Sequence, residues 1–346
     1  MSMTPLRQQQ WPDGTLPVVS IFNWTYNHSS FIRESIESIL DQETDFPVEI
    51  IIHDDASTDG TAEIVNEYSK SYPQLFRNVV HSQNQYSQGI CLLKPLLIYP
   101  RGKYIALSHG DDFWTDKNKL KRQIDLLEKN SHIVLVGHRF HLASESCSNT
   151  GNLSQSEKEI GNLEDILLRN YVHTATGVFR NGLLTEHSLA NAPDAGDWFL
   201  WSQLAKHGKI AFINDVMSAY RVHLGGVASG LPIRKKLISV RKSINRIHQD
   251  FGKRYLATKR SSLSDYELQC ALQACSSDLI FSIKLLLTAF LRTPSFVYRH
   301  HITRKLRQHI FNHLSSAINL RHLARSIINR ARNLGSIIKR RFFVRQ

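Results

Sequence analysis

The sequence predicts an α/β fold with a central, mostly parallel sheet and a basic helical C-terminal extension. Three observations carry this expectation. Over residues 16–140, short β-branched runs alternate with stripes of helical period. Acidic clusters directly follow two of those runs, where open α/β sheets bind their ligands. From residue 232 onward the pattern turns helical and strongly basic.

Each element has its own justification. "LPVVSIF" (16–22) is a β-branched run after Pro12 and Gly14, hence a strand. "SSFIRESIESIL" (29–40) places Ile32, Ile36, Ile39 and Leu40 on one helical face, with Ser29 and Ser30 as cap-type residues. "VEIIIH" (48–53) is the second strand, and "ASTDGTAEIVNEYSKSY" (56–72) reads as a loop entering a helix. "LFRNVVH" (75–81) is a third strand, "GICLLKPLLIY" (89–99) an apolar helix and "GKYIALS" (102–108) a fourth strand. "KNKLKRQIDLLEKN" (117–130) is amphipathic and helical, and "HIVLVGHRF" (132–140) a further strand. Residues 141–165, rich in Ser, Asn and Glu, read as a loop. "VHTATGVFR" (172–180) is strand-like, "GDWFLWSQLAKHG" (196–208) a helix ended by Gly208, and 209–226 a strand, a turn and a closing segment. The expected organisation is an N-terminal extension (1–15), a core domain (16–231) with halves 16–130 and 131–231, and a basic helical region (232–346).

Charge is distributed unevenly along the 346 residues. Residues 232–346 hold 24 Lys and Arg against 4 Asp and Glu, a net of +20, while residues 1–231 carry a net of −7. No Asp or Glu occurs after position 278. Such a tail suits an anionic partner, either a membrane surface or a nucleic acid. Four scattered cysteines, none in a C-x-x-C, exclude a disulfide framework. The N-terminus lacks the apolar core of a signal peptide, and no run of 18 apolar residues occurs. "LIFSIKLLLTAFL" (279–291) contains Lys284 and has the length of a buried or interfacial helix. The expected location is cytoplasmic, peripheral on the inner face of the cytoplasmic membrane.

The chemistry is concentrated in "HDDASTDG" (53–60) and "HGDDFW" (109–114). Adjacent carboxylates repel unless a cation or proton relieves them. Oxygen ligands at a strand end suit Mg²⁺ or Mn²⁺, which keep waters and take substrate phosphates as further ligands. The same residues also suit the N-terminus of the 117–130 helix, where negative charge is favoured. Neither G-x-G-x-x-G after the first strand nor G-x-x-x-x-G-K-[ST] is present, so a nucleotide diphosphate would be held by metal and basic side chains.

"VVSIFNWTYNHSSFIRESIESIL", "VEIIIHDDASTDGT" and "GKYIALSHGDDFWTD", in this order and spacing, resemble the N-terminal half of an inverting family 2 glycosyltransferase with the GT-A fold. The resemblance covers residues 16–226. It implies a nucleoside-diphosphate-sugar donor, a UDP-sugar first, and a divalent cation, Mg²⁺ or Mn²⁺. It further implies that Asp55 bonds the base, that Asp111 contacts the ribose or the metal shell, and that Asp112 ligates the metal. "APDAGDWFLW" offers Asp197 as the general base, with Asp194 as competitor, although relatives often have Glu-Asp where this chain has Gly196–Asp197. "YRVHLGG" (220–226) implies His223 as a metal ligand and Arg221 as a diphosphate contact. Processive relatives carry Gln-x-x-Arg-Trp and several membrane spans. Here the corresponding stretch is "WSQLAKHG", which favours transfer of a single sugar to a glycan or lipid-linked acceptor, with the tail on an anionic membrane.

Three rival readings are weaker. An RNA-templated polymerase also uses Gly-Asp-Asp, but the earlier Asp54–Asp55 cluster on a parallel sheet argues against a nucleic-acid partner. A sugar nucleotidyltransferase is expected to show a Gly-rich N-terminal loop. A catalytically inactive relative need not keep all the acidic positions.

Overall fold

The computed structural model describes residues 3–145, 149–189, 192, 196–226, 231–274 and 277–292. Strands β1 (Val19–Thr25), β2 (Val48–Asp54), β3 (Phe76–Val80) and β4 (Tyr104–His109) are the first four of one nine-stranded sheet. The others are β5 (Phe113–Trp114), β6 (Ile133–Ser144), β7 (Ile160–Gly161), β8 (Val178–Arg180) and β9 (Lys209–Val222). Their order is β3-β2-β1-β4-β8-β6-β9-β5, with β7 pairing β9. The four N-terminal strands run parallel. β8 is antiparallel to both β4 and β6, and β6 and β9 are again parallel. The expected α/β architecture on a mostly parallel sheet is therefore present.

Parallel strands buried on both faces read as unbroken apolar runs, and all seven residues of β2 are buried. Helix α1 (Ile32–Leu40) lays Ile32, Ile36, Ile39 and Leu40, all fully buried, on the core. Each such side chain contributes about 1.5–3 kcal/mol relative to exposure. Helix α2 (Thr61–Ser71) follows β2, and α3 (Lys119–Lys129) buries Leu120, Ile124 and Leu127 in the same cluster.

The structure corrects several sequence expectations. Residues 89–99 form no α-helix: a short turn at Lys94–Leu97 is all that follows Gly89, with Pro95 inside it. Within 141–165, β6 continues to Ser144, and α4 (Leu163–Leu168) starts at a capping box. The Asn162 side chain accepts from the Glu164 and Asp165 amides, and Asp165 accepts from the Asn162 amide. In 172–180 a turn at Thr174–Thr176 precedes β8. Residues 209–222 are one strand, kept continuous by register shifts around Val216 rather than broken by a turn. Helix α5 (Asp197–Leu204) falls where a helix is expected.

The chain divides into two compact units. The first comprises residues 1–232 and 242–255, the second residues 233–241 and 256–346. Helix α6 (Ile233–Gln249) begins in the second unit and ends in the first. In the second unit, α7 (Leu256–Ala274) and α8 (Leu279–Arg292) pack with Leu237 around Cys270, Ala271 and Leu285. Glu267, fully buried, is neutralised there by Arg241 at 2.6 Å and Arg292 at 2.9 Å. The C-terminal segment "SIIKRRFFVRQ" lies outside the described residues, as do Asp194, Cys147 and Cys275.

Candidate functional site

Parallel β2, β1 and β4 end at one sheet edge, which brings the loops after Thr25, Asp54 and His109 side by side. The Asp54–Asp55 pair divides into two tasks. Asp54 is fully buried and accepts from the Ser57 amide (3.1 Å) and hydroxyl (2.5 Å), a local turn lock. Asp55 accepts the backbone N–H groups of Gln85 (2.6 Å) and Tyr86 (3.0 Å), so its carboxylate orders the 84–86 turn. A nucleotide base docking there meets a carboxylate that is already engaged.

The loops after β1 and β2 are stitched together. Asn27, at φ +54°, accepts from the Thr58 amide (2.8 Å), and its own amide donates to Ser57 (2.8 Å). The His28 amide donates to Thr61 Oγ1 (2.8 Å), and the Ser29 amide to Asp59 (2.9 Å). Burial raises the Asp59 pKa, but the bonds from Thr61 and Ser29 outweigh it and hold the carboxyl near 2.

The turn after β4 is tight. The Gly110 amide donates to Trp24 O at 2.9 Å, and a Cβ on Gly110 would lie 2.5 Å from Thr25 Oγ1 and 2.8 Å from His28 Nδ1. Glycine is therefore required for the backbone to approach this closely. The turn presents Asp111 and Asp112 in different environments. Asp111 Oδ2 lies 3.1 Å from His223 Nε2 and 3.7 Å from His28 Nε2. Burial opposes its charge, yet the His223 bond and the imidazoles of His28 and His109 hold it well below the usual carboxylate range. Asp112 is buried. Its Oδ1 accepts the Arg221 amide at 3.0 Å, while its Oδ2 is buried without a hydrogen-bond partner. Burial first, and then the Asp111 charge, push its pKa well up.

Arg221 locks this turn from below. Its Nε donates to Asp111 O (3.0 Å), one terminal nitrogen donates to Ser144 O (2.9 Å), and the other pairs with Glu34. The guanidinium also lies over the rings of Phe31 and Phe113. Phe113 and Trp114 are buried side chains of the core. The Trp114 indole N–H donates to Ala175 O at 3.1 Å.

Asp197 opens α5, where Oδ2 accepts from Thr174 Oγ1 (3.0 Å) and Oδ1 from the Trp198 amide (2.6 Å). Burial raises its pKa against these bonds and one from Asn170, and the His109 imidazole pulls it down. His109 thus acts electrostatically on both Asp111 and Asp197.

The structure brings Asp111, Asp112, Arg221 and His223 into direct contact, keeps Asp55 on the neighbouring loop and places Asp197 at a helix start answering to the same imidazole. Among the described residues, two groups have ligand atoms lying within 4.8 Å of one another: His28, Asp111 and His223, and His109, Asp111 and Asp112. The orphaned Asp112 Oδ2 and these mixed donor sets fit a divalent cation. His28 escapes sequence reasoning because no motif marks it, and His109 heads "HGDDFW" without a role of its own. Their signal is position alone, each at the end of a parallel strand on the ligand edge.

A Glycosyl transferase family 2 model matches residues 20–183. An uncharacterized protein of Mycobacterium tuberculosis, Rv1520, is 35% identical over 211 residues, 60% of this chain and 60% of the relative. The chain thus spans less than two thirds of that relative's length. The Escherichia coli protein WfaP, named UDP-Glc:alpha-D-GlcNAc-diphosphoundecaprenol beta-1,3-glucosyltransferase, is 30% identical over 220 residues, 62% of this chain and 81% of WfaP.

Proposed function

Since the chain belongs to glycosyltransferase family 2, we propose that it transfers a single sugar, with inversion and with a divalent cation, from a nucleoside-diphosphate-sugar to an acceptor in surface-glycan biosynthesis. The observation that carries the reading is Asp112, a buried carboxylate with one oxygen unpartnered, adjacent to an ionised Asp111 at the strand-end edge. Asp112 and His223 hold the cation, which when bound supplies positive charge against the departing nucleoside diphosphate. Asp111 serves the ribose or the metal shell, and Asp55 the base. Arg221, fully engaged by Asp111, Ser144 and Glu34, serves by fixing the turn more than by gripping phosphate.

Asp197 takes the proton of the acceptor hydroxyl as that oxygen bonds to the anomeric carbon. Burial raises its pKa, which makes the carboxylate a stronger base. WfaP's named donor is UDP-Glc and its named acceptor a diphosphoundecaprenol-linked sugar, which supports a UDP-sugar and a lipid-linked acceptor for this chain.

A peripheral membrane location follows from such an acceptor. No helix among the described residues is long and apolar enough to cross a membrane. On α8, however, Ile280, Leu287 and Leu291 are exposed at spacings that share one face, and no acidic residue follows position 278. Apolar faces among Lys and Arg are the mark of interfacial helices.

The test is a panel of nucleotide-sugars scored by thermal stabilisation with and without Mn²⁺, because a bound donor raises stability by mass action. A cation-dependent rise for one donor, absent in Asp112→Asn, is expected. No rise for any donor overturns the reading.

A further inference from the structure

We infer that His28 is a metal ligand, and that His28, Asp111 and His223 form a two-imidazole, one-carboxylate site that prefers transition-series cations to Mg²⁺. This rests on the divalent cation of the proposed transfer, held by Asp112 and His223, and goes beyond it by adding His28 and Asp111 to the shell, and a selectivity.

Three placements converge. His223 Nε2 and His28 Nε2 approach the same oxygen, Asp111 Oδ2, at 3.1 Å and 3.7 Å. All three ligand atoms lie within 4.8 Å of one another. Ligands bound to one ion at about 2.0–2.2 Å sit roughly 3 Å apart, so the set is nearly closed already. The side chains of His28 and Asp111 keep some exposure, 16% and 15%, while that of His223 is 6% exposed.

Each imidazole is oriented from outside the set. His28 Nδ1 lies 3.2 Å from Thr25 Oγ1, and its backbone is held by the bond to Thr61. The His223 ring packs on Phe31 at 4.9 Å. A ligating imidazole whose second nitrogen meets a fixed polar group is the usual arrangement of a metal-binding histidine. The β1–α1 loop reaches this position because Asn27 turns at positive φ and locks to Thr58.

Donor chemistry sets the preference. Carboxylate, carbonyl and water oxygens suit Mg²⁺, whereas imidazole suits the later divalent ions. Two nitrogens in the shell move this site away from Mg²⁺. Mn²⁺ tolerates both donor types and serves as the probe.

The full chain is titrated with Mn²⁺ by electron paramagnetic resonance, alone and with UDP, and with Mg²⁺ as competitor. The expected result is Mn²⁺ binding about tenfold or more tighter than Mg²⁺, weakened on the order of tenfold in His28→Gln, with Mg²⁺ binding little changed. Pulsed measurements on bound Mn²⁺ are expected to show nitrogen couplings from two imidazoles in the natural chain and one in His28→Gln. Unchanged circular dichroism of His28→Gln, and the same result in His28→Asn, exclude misfolding as the cause. Mn²⁺ bound equally by both chains, or a single nitrogen coupling in the natural one, overturns the inference. Its failure is separable from failure of the transfer reading. Sugar transfer by a natural chain whose bound Mn²⁺ shows a single nitrogen coupling sinks the site alone. A two-nitrogen Mn²⁺ site in a chain that transfers no sugar sinks the transfer reading alone.

Discussion

Thr174 Oγ1 donates a 3.0 Å hydrogen bond to Asp197 Oδ2, and Thr174 belongs to a turn pinned from beneath. Gln123 donates to Thr176 O at 2.8 Å and Trp114 to Ala175 O at 3.1 Å. The Thr174 bond favours the ionised carboxylate, whereas burial opposes it. Replacing Thr174 by Val removes the bond and raises the Asp197 pKa further. The acid limb of the kcat/KM profile is expected to move upward by roughly half a unit to one unit, since such a bond is worth about 1 kcal/mol. Thr174→Ser restores the position of the limb. A profile that stays in place in Thr174→Val removes Thr174 from the positioning of the base.

Asp197→Asn keeps the size and both hydrogen-bond positions but loses the basic oxygen. Donor-dependent thermal stabilisation is expected to remain, while turnover falls by about 10²–10⁴-fold. Single-turnover rates read the difference, and normal turnover withdraws the base role from Asp197.

Asp112 is costly in the metal-free chain because burial and Asp111 disfavour its charge. Its folded pKa lies above its unfolded one, so the carboxyl contributes most at low pH and that contribution is lost as pH rises. Asp112→Asn is therefore expected to raise the melting temperature of the metal-free chain at pH 8 more than at pH 5. Equal shifts at the two pH values contradict the raised pKa.

Gly110→Ala places a Cβ 2.5 Å from Thr25 Oγ1 and 2.8 Å from His28 Nδ1. Relief requires the turn or the imidazole to shift, at about 1–3 kcal/mol. Denaturant midpoints report the loss, and Mn²⁺ affinity is expected to fall with it. Full stability and affinity in Gly110→Ala contradict the close approach.

A different pair governs acid stability. His53 Nε2 lies 2.9 Å from His81 Nε2, and burial, then the His81 charge, push the His53 pKa down to about 4, with Asp55 pulling the other way. The unfolded group titrates near 6.5, so the unfolded chain binds more protons between these values. Stability from this group is present above about pH 6.5 and is lost as pH falls towards 4, by up to about 3 kcal/mol. Denaturation curves from pH 7.5 to 4.5 measure it. His53→Gln is expected to flatten that fall, and an unaltered slope excludes His53 as its source.

Local pattern carried the parallel half of the sheet and the two acidic loops, since alternation, β-branched runs and strand-end carboxylates are all visible within short windows. Where tertiary contacts decide, it failed. "GICLLKPLLIY" has helical composition, but Pro95 and packing of Leu93 and Leu96 reduce it to a turn. Residues 209–222 contain turn-like Asn214–Asp215, yet these two bulge out of the ladder and pairing with β6 resumes at Val216, which carries the strand through. The Asp54–Asp55 pair reads as one feature, and only the fold separates a turn lock from the carboxylate that orders Gln85 and Tyr86. His28 and Asp111 stand 83 positions apart, a separation that no local motif bridges.

The bonds joining residues 27–29 to 57–61 have a mechanical consequence. Two loops that might each have flexed on their own are laced into one stiff wall, and His28 is mounted on it. The opposite wall is the end of β9, where Arg221 is tied to Asp111, Asp112, Ser144 and Glu34. Asp111 is the point at which the two walls meet, through His28 on one side and His223 on the other.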